Sequence, residues 1–367
     1  MPFCDTMIYM NKKHITAPEA ERLVGWYEQN RRSLPWRDTG DPYHVWISEI
    51  MLQQTRIEAV RDKYTQFVSE LPDIPALAAC EDDRLMRLWE GLGYYSRARS
   101  LKKCALVLMK EYGGCLPADY PALLKLPGIG PYTAGAITSI AFHLPFPAVD
   151  GNVLRILARI FAEKGDIRDV TVKKRLEDTI LDVYKGKMDP ALFNQGLMEL
   201  GQTVCLPNGM PHCEVCPWAE FCQAKEKNFI SEIPYRSPLK KRRIVQRTLL
   251  IIRDGRQFLL HKRPAAGLLG GLYEFVGYDS DLSFKEARKE AEKLSLKPLR
   301  IKALPDSRHI FSHLEWHMKA YEITVEQISC RMDESYILAD KKELARLAVP
   351  SAFKTYTDWY ALRDQDS

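Results

Sequence analysis

Between Pro18 and about Ala224 the apolar residues recur at helical spacing and nowhere alternate with period two. Leu88, Trp89 and Leu92 form one stripe, and Leu101, Ala105, Leu108 and Met109 form another. A third runs through Leu154, Leu157, Ala158 and Phe161. Two further helical patterns flank a short turn, from Tyr120 to Leu126 before it and through Ala134, Ile137 and Ile140 after it. Gly91, Gly93, Gly113, Pro117 and Pro127 punctuate these segments, so they predict a succession of separate helices. From Pro234 to Arg243 the chain reads PYRSPLKKRR, broken by proline and free of acids, which predicts a solvated linker. Beyond it, Thr248–Ile252 and Phe258–His261 read as strands around Asp254-Gly255, a hairpin signal. A helix from Ser283 to Leu294 follows, then strands at Leu299–Ala303, Arg308–Phe311 and Trp316–Ile323. The expected organisation is a helical domain over 15–230, a basic linker over 231–245 and an α+β domain over 246–363.

Size and composition set bounds on this picture. With 367 residues and 46% hydrophobic content the chain can build two cores. No apolar run approaches the length of a membrane span. A formal charge of +5 is compatible with nucleic acid and is weak evidence by itself.

The chemistry-bearing residues cluster in three places. In Leu126-Pro127-Gly128-Ile129-Gly130 proline fixes one turn residue, and the glycines permit backbone angles and approaches closed to other residues. Such a turn aims backbone N–H groups at one point, which suits a phosphate, although an ordinary helix–helix turn has the same elements. Asp150, twenty residues beyond Gly130, precedes an apolar helical pattern and reads as an N-cap whose helix favours its carboxylate form. Glu49 lies inside a helical segment with Val45, Trp46 and Leu52 on its face. A carboxyl there either loses hydration and holds its proton towards neutrality, or pairs with a core arginine; spacing leaves both open. Finally, Cys205, Cys213, Cys216 and Cys222 crowd into one stretch. Four such thiolates suit a zinc ion or an iron–sulfur cluster. With no signal peptide and the other cysteines scattered, a reducing cytosol is expected over disulfides.

The string LPGIGPYTAGAITSIAFHLPFPAVDGN, Leu126 to Asn152, is far more specific than a bare glycine turn. It resembles the helix-hairpin-helix DNA glycosylases, which grip a DNA strand at such a hairpin, here at Gly128 and Gly130, and place a catalytic aspartate beside it. The resemblance implies a [4Fe–4S] cluster on Cys205, Cys213, Cys216 and Cys222. Seven residues separate Cys205 from Cys213, where the family usually has six, so a bulge in that loop is expected. TLLIIRDGRQFLLHKRPAAGLLGGLYEF, from Thr248, resembles the Nudix fold. The glutamates Glu286, Glu290 and Glu292 do not match the catalytic Nudix box, so a binding domain is expected. The fold class implied is a mainly α helix-hairpin-helix glycosylase domain with an iron–sulfur loop, followed by an α+β Nudix-like domain.

Together these parts look like the A/G-specific adenine glycosylases, over roughly Pro18 to Trp359. The resemblance implies hydrolysis of the N-glycosidic bond of adenine paired with 8-oxoguanine or guanine in duplex DNA. It also implies a monomeric, cytoplasmic, nucleoid-associated enzyme of base excision repair. Glu49 would protonate the base and Asp150 would stabilise the sugar cation, a division of labour between a neutral and a charged carboxyl. Tyr132 and Asn152 would support the sugar. Relatives that also cut the backbone carry a lysine at position 132, so a monofunctional enzyme is expected, with Lys125 facing elsewhere. Trp36, Arg37, Leu52 and Gln195 would line the adenine pocket. Gln54 and Tyr94 would contact the oxidised guanine and wedge the stack, and Phe311, Ser312 and His313 would form the recognition loop, with Ser312 reading the lesion. Each has a plainer reading: Trp36 and Leu52 as core, Tyr94 as packed, Gln195 as a solvated helix residue, and His313 with His309 and His317 as metal ligands. The alternatives in function are a thymine glycosylase acting on G·T mismatches and a non-catalytic lesion-binding iron–sulfur protein. Met1 to His14 has no counterpart in the family pattern.

Overall fold

The computed structural model describes residues 14–37, 39–238, 241–255, 257–264, 267–328, 334–344 and 346–362. The first thirteen residues of the unmatched N-terminal stretch, and Leu239 and Lys240 of the basic run, lie outside them. The chain divides into two compact units, Met1–Ala79 with Ser100–Pro238 and Cys80–Arg99 with Leu239–Ser367.

The first unit is helical. Helix Pro42–Leu52, with Asp41 accepting from the Tyr43 N–H, is buried nearly all round, and so carries no polar stripe. The pattern over Tyr120–Leu126 yields only the short helix Tyr120–Leu123, because Pro127 disfavours helical backbone just before it. Helix Pro131–Ile140 follows the turn, and helix Gly151–Ile160 starts at Asp150 and ends with Phe161 as its cap. Val153, Leu154, Leu157 and Ala158 join a core shared with Phe193, Leu197 and Leu200 of helix Pro190–Thr203.

In the second unit, helix Asp82–Leu88 stops before Leu92, which the stripe had included. Gly91 and Gly93 take φ of +88° and +68° there, and Leu92 is buried from a loop. The described strands form one sheet, with β1 (Arg243–Asp254), β2 (Gln257–Lys262), β3 (Tyr273–Tyr278), β4 (Pro298–Ile310), β5 (Leu314–Val325) and β6 (Tyr336–Ala339) in the order β4-β5-β1-β3-β2-β6. β1 starts at Arg243, within the stretch read as linker, and pairs in parallel with β5. Buried on both faces, β1 packs Leu249 and Ile251 on one side and Leu250 and Ile252 on the other, hence the unbroken run LLII. The Asp254-Gly255 turn joins β1 to β2 antiparallel. The two strands expected on either side of Pro305 are one edge strand, β4, with a register shift between Leu304 and Ser307 that accommodates the proline. β3 and β6 were not anticipated. Helix Phe284–Lys293 is capped by Ser283 and Glu286.

Candidate active site

Glu49 is 6% exposed on helix Pro42–Leu52, and burial pushes its carboxyl up to about 7. The negative charge of Asp150 pushes the same way, while a hydrogen bond with Tyr132 and the charge of Arg37 pull it down. Tyr132 stands one residue into helix Pro131–Ile140, and its own hydroxyl is held well above its ordinary range by burial and the two carboxyls. The core-arginine reading of Glu49 does not hold, because Arg37 gives its guanidinium to Glu199, with Nη2 2.5 Å from Oε2. Burial would raise Glu199, but its hydrogen bonds to Arg32 and Arg37 keep it below the ordinary carboxylate range.

Asp150 caps helix Gly151–Ile160. Its Oδ1 accepts from the Asn152 and Val153 backbone N–H groups at 2.8 and 2.9 Å, and its Oδ2 accepts from Asn152 Nδ2 at 2.6 Å. Asn152 Oδ1 in turn accepts from Arg155 Nη1 at 3.0 Å. Two contacts deliver Asp150 from upstream. Asn194 holds the Phe146 carbonyl and the Ala148 N–H, and Gly135 lets helix Pro131–Ile140 lie directly on Pro147.

These groups share one cleft of about 870 Å³ in the first unit. Trp36, Arg37, Glu49, Leu52, Gln54, Tyr132, Asp150, Asn152 and Gln195 all line it. Trp36 is also core, edge-on to Tyr64 at 5.4 Å, so it is both buried and part of the cleft wall. Gln195 is tethered rather than solvated: Tyr27 Oη donates to its Oε1 at 3.0 Å. Gln54 reaches the cleft from backbone with φ +60°. Lys125 is exposed and is not among the lining residues.

The turn itself corrects one expectation. Gly128 has φ +79°, and a Cβ on it would lie 2.6 Å from Ser100 Cβ, so glycine is required. Gly130 has an ordinary φ of −96° and nothing within 4 Å of a Cβ. The fold does not need glycine at Gly130.

The remaining residues belong to the second unit and are not among those lining the cleft. Tyr94 is 48% exposed at φ +47°, on a loop whose Gly93 carbonyl accepts from Trp89 Nε1 and Arg97 Nη2. Its ring is half exposed and faces the Arg97 guanidinium at 5.7 Å. Phe311 to His313 form the turn between β4 and β5, closed by Phe311 N–H donating to the Leu314 carbonyl at 2.9 Å. Phe311 is wedged edge-on between His309 and Trp316, while Ser312 and His313 are exposed. His317 pairs with Glu315 at 2.7 Å, and among the described residues no three such side chains gather as a metal site. Of the glutamates that miss the Nudix box, Glu286 caps its helix, Glu290 pairs with Lys293 and Glu292 with Arg288.

Cys205, Cys213, Cys216 and Cys222 all line one small cavity, and none of the four is in a disulfide. Burial pushes Cys213, Cys216 and Cys222 up, Cys216 to about 12. Arg159 Nη1 donates to Cys205 Sγ at 3.3 Å. Such a donor set fits a group that supplies its own positive charge.

Sequence reasoning missed Glu199, Gly135, Asn194 and Arg155. Glu199 alone left a signal, as a single acid among the apolar residues of its helix.

Residues 47–180 match the HhH-GPD superfamily of base excision DNA repair proteins, and residues 247–359 match the NUDIX domain. The adenine DNA glycosylase of Buchnera aphidicola subsp. Baizongia pistaciae is 33% identical over 319 residues, covering 84% of this chain and 87% of the relative. The chain belongs to the adenine DNA glycosylase family. The family member from Mus musculus is 33% identical over 366 residues, covering 83% of this chain and 70% of its own length. A thermostable thymine-DNA glycosylase of known structure is 30% identical with a TM-score of 0.52, covering 57% of this chain and 95% of its own. The adenine DNA glycosylase relatives thus extend across both units, beyond the share that the thymine-DNA glycosylase covers.

Proposed function

We propose that this adenine DNA glycosylase hydrolyses the N-glycosidic bond of adenine paired with 8-oxoguanine or guanine, and leaves an abasic site. One observation carries the reading: a buried carboxyl raised to about 7, Glu49, shares a cleft with the hydrogen-bonded carboxyl of Asp150. Adenine leaves poorly as an anion and readily once protonated. Glu49 donates that proton, most simply to N7 of a base turned out of the duplex. As the bond breaks, the sugar develops positive charge, which Asp150 stabilises while Asn152 and the helix N–H groups keep its oxygens aimed. Water then adds at C1′ and gives its proton to the Glu49 carboxylate, which restores the acid. Tyr132 tunes Glu49 and cannot form the imine through which a lysine cleaves the backbone. Gln195, Arg37, Trp36 and Leu52 are assigned to hold adenine, and the tethered Gln195 amide can both donate to and accept from its edge.

Gln54, Tyr94 and the Phe311–His313 turn are assigned to the oxidised guanine, with Gly128 and Gly130 on the DNA backbone. Open space at Gly130 supports that role, since the fold itself leaves the glycine unexplained. The four cysteines are assigned to a [4Fe–4S] cluster, which supplies positive charge to their thiolates when bound; Arg159 and Arg155 tie its loop to the Asp150 helix. A reducing cytoplasm would keep these four cysteines available to the cluster.

The thymine-DNA glycosylase similarity gives the competing reading. With enzyme in excess, an 8-oxoguanine·adenine duplex is expected to release adenine in a single turnover. Preferential release of thymine from a G·T duplex would replace the reading, and efficient borohydride trapping would remove its monofunctional part.

A further inference from the structure

We infer that Arg236 is a phosphate-binding residue for the strand whose nucleotide enters the cleft, an inference that rests on the function proposed above. Beyond the cysteine loop the chain turns back along helix Gly151–Ile160. Arg159 Nε donates to the Ile233 carbonyl at 2.9 Å, and the Ile167 N–H donates to the Tyr235 carbonyl at 3.2 Å. On the other side of Arg236, the Ser237 N–H donates to Asp166 Oδ2 at 3.1 Å, and Arg168 donates to the Ser237 carbonyl. The backbone on either side of Arg236 is therefore fixed, while the side chain itself is exposed.

Its guanidinium rests over the first residue of the helix that Asp150 caps, with Nη2 3.5 Å from the Gly151 carbonyl. That contact is at the limit for a hydrogen bond, and among the described residues no carboxylate pairs with Arg236. The planar fork is thus free to take a better acceptor. A deoxyribose held at Asp150 carries a phosphate on each side. Arg236, one residue's breadth from Asp150 and outside the cleft lining, is placed for one of those phosphates and not for the base.

The test uses the full-length protein and a duplex with 8-oxoguanine opposite 2′-fluoro-2′-deoxyadenosine, whose fluorine destabilises the sugar cation and prevents hydrolysis. Dissociation constants are measured across a salt series. Arg236→Ala is expected to lower the slope of log Kd against log salt by about 0.9, the value of one phosphate contact. Its Kd at low salt should rise roughly tenfold. Arg236→Lys should keep the slope, and adenine release from the unfluorinated duplex is measured with the wild type. An alanine variant with the wild-type slope would overturn the inference. If instead the wild type released no adenine, the functional reading beneath it would fall.

Discussion

Gly135 and Pro147 meet so closely that a Cβ on Gly135 would stand 2.2 Å from the Pro147 carbonyl oxygen. The atom in the way is backbone and has no rotamer to escape into. Helix Pro131–Ile140, carrying Tyr132, is thereby pressed against the segment that ends in Asp150. Gly135→Ala must push the two apart, at about 1–3 kcal/mol of stability. Displacement of the carboxylate should cost excision more, on the order of tenfold to a hundredfold in the single-turnover rate. Denaturant unfolding and single-turnover adenine release check the two parts, and an unaffected alanine variant would mean that this contact does not hold Asp150.

A proton on Glu49 gives the excision rate a pH dependence with a definite sign. Burial raises the carboxyl to about 7, so the active protonated form is present below that pH and is lost as pH rises through it. Tyr132 lowers Glu49 through its hydrogen bond, so Tyr132→Phe should move the alkaline limb to higher pH. Single-turnover rates measured from pH 5 to 9 decide the matter; a limb shifted downwards would reverse the assigned role of the hydroxyl.

Ser312 sits exposed at the tip of the β4–β5 turn, with Phe311 anchoring the turn beside Trp316. If Ser312 reads the oxidised guanine as proposed, Ser312→Ala removes that hydrogen bond and should reduce the preference for 8-oxoguanine over guanine by about tenfold. Adenine release from a guanine·adenine duplex should be nearly unchanged. Equal losses on both duplexes would mean that the turn binds DNA without reading the lesion.

The four-cysteine cavity predicts a yellow-brown protein containing iron and acid-labile sulfide in equal amounts, both lost in Cys216→Ala. Stoichiometric zinc with no iron would assign the site to a structural zinc instead.

What could be read in advance follows the range of each interaction. Glu49 was legible because its environment is local: Val45, Trp46 and Leu52 lie within a helical turn of it, and burial dominates its titration. Whether an arginine would neutralise it was not legible, since that turned on Glu199, about 150 positions away, claiming Arg37. Asp150 declared itself as a cap through its neighbours, but Asn194 and Gly135 hold it by contacts that no periodicity encodes. In the sheet, Thr248–Ile252 of β1 stood out as an unbroken apolar run, but the start of β1 at Arg243 is hidden in the basic stretch expected to be linker. β4 was split in two because Pro305 looks like a breaker until its strand is known to be an edge.

The central claim is that Glu49 supplies the proton and Asp150 the negative charge in one act of bond cleavage. Its most direct test is single-turnover adenine release from an 8-oxoguanine·adenine duplex by the wild type, Glu49→Gln and Asp150→Asn, with binding measured in parallel. Each variant should lose about 10² to 10⁴ in rate while still binding the duplex. Near-normal turnover by either one would contradict the account.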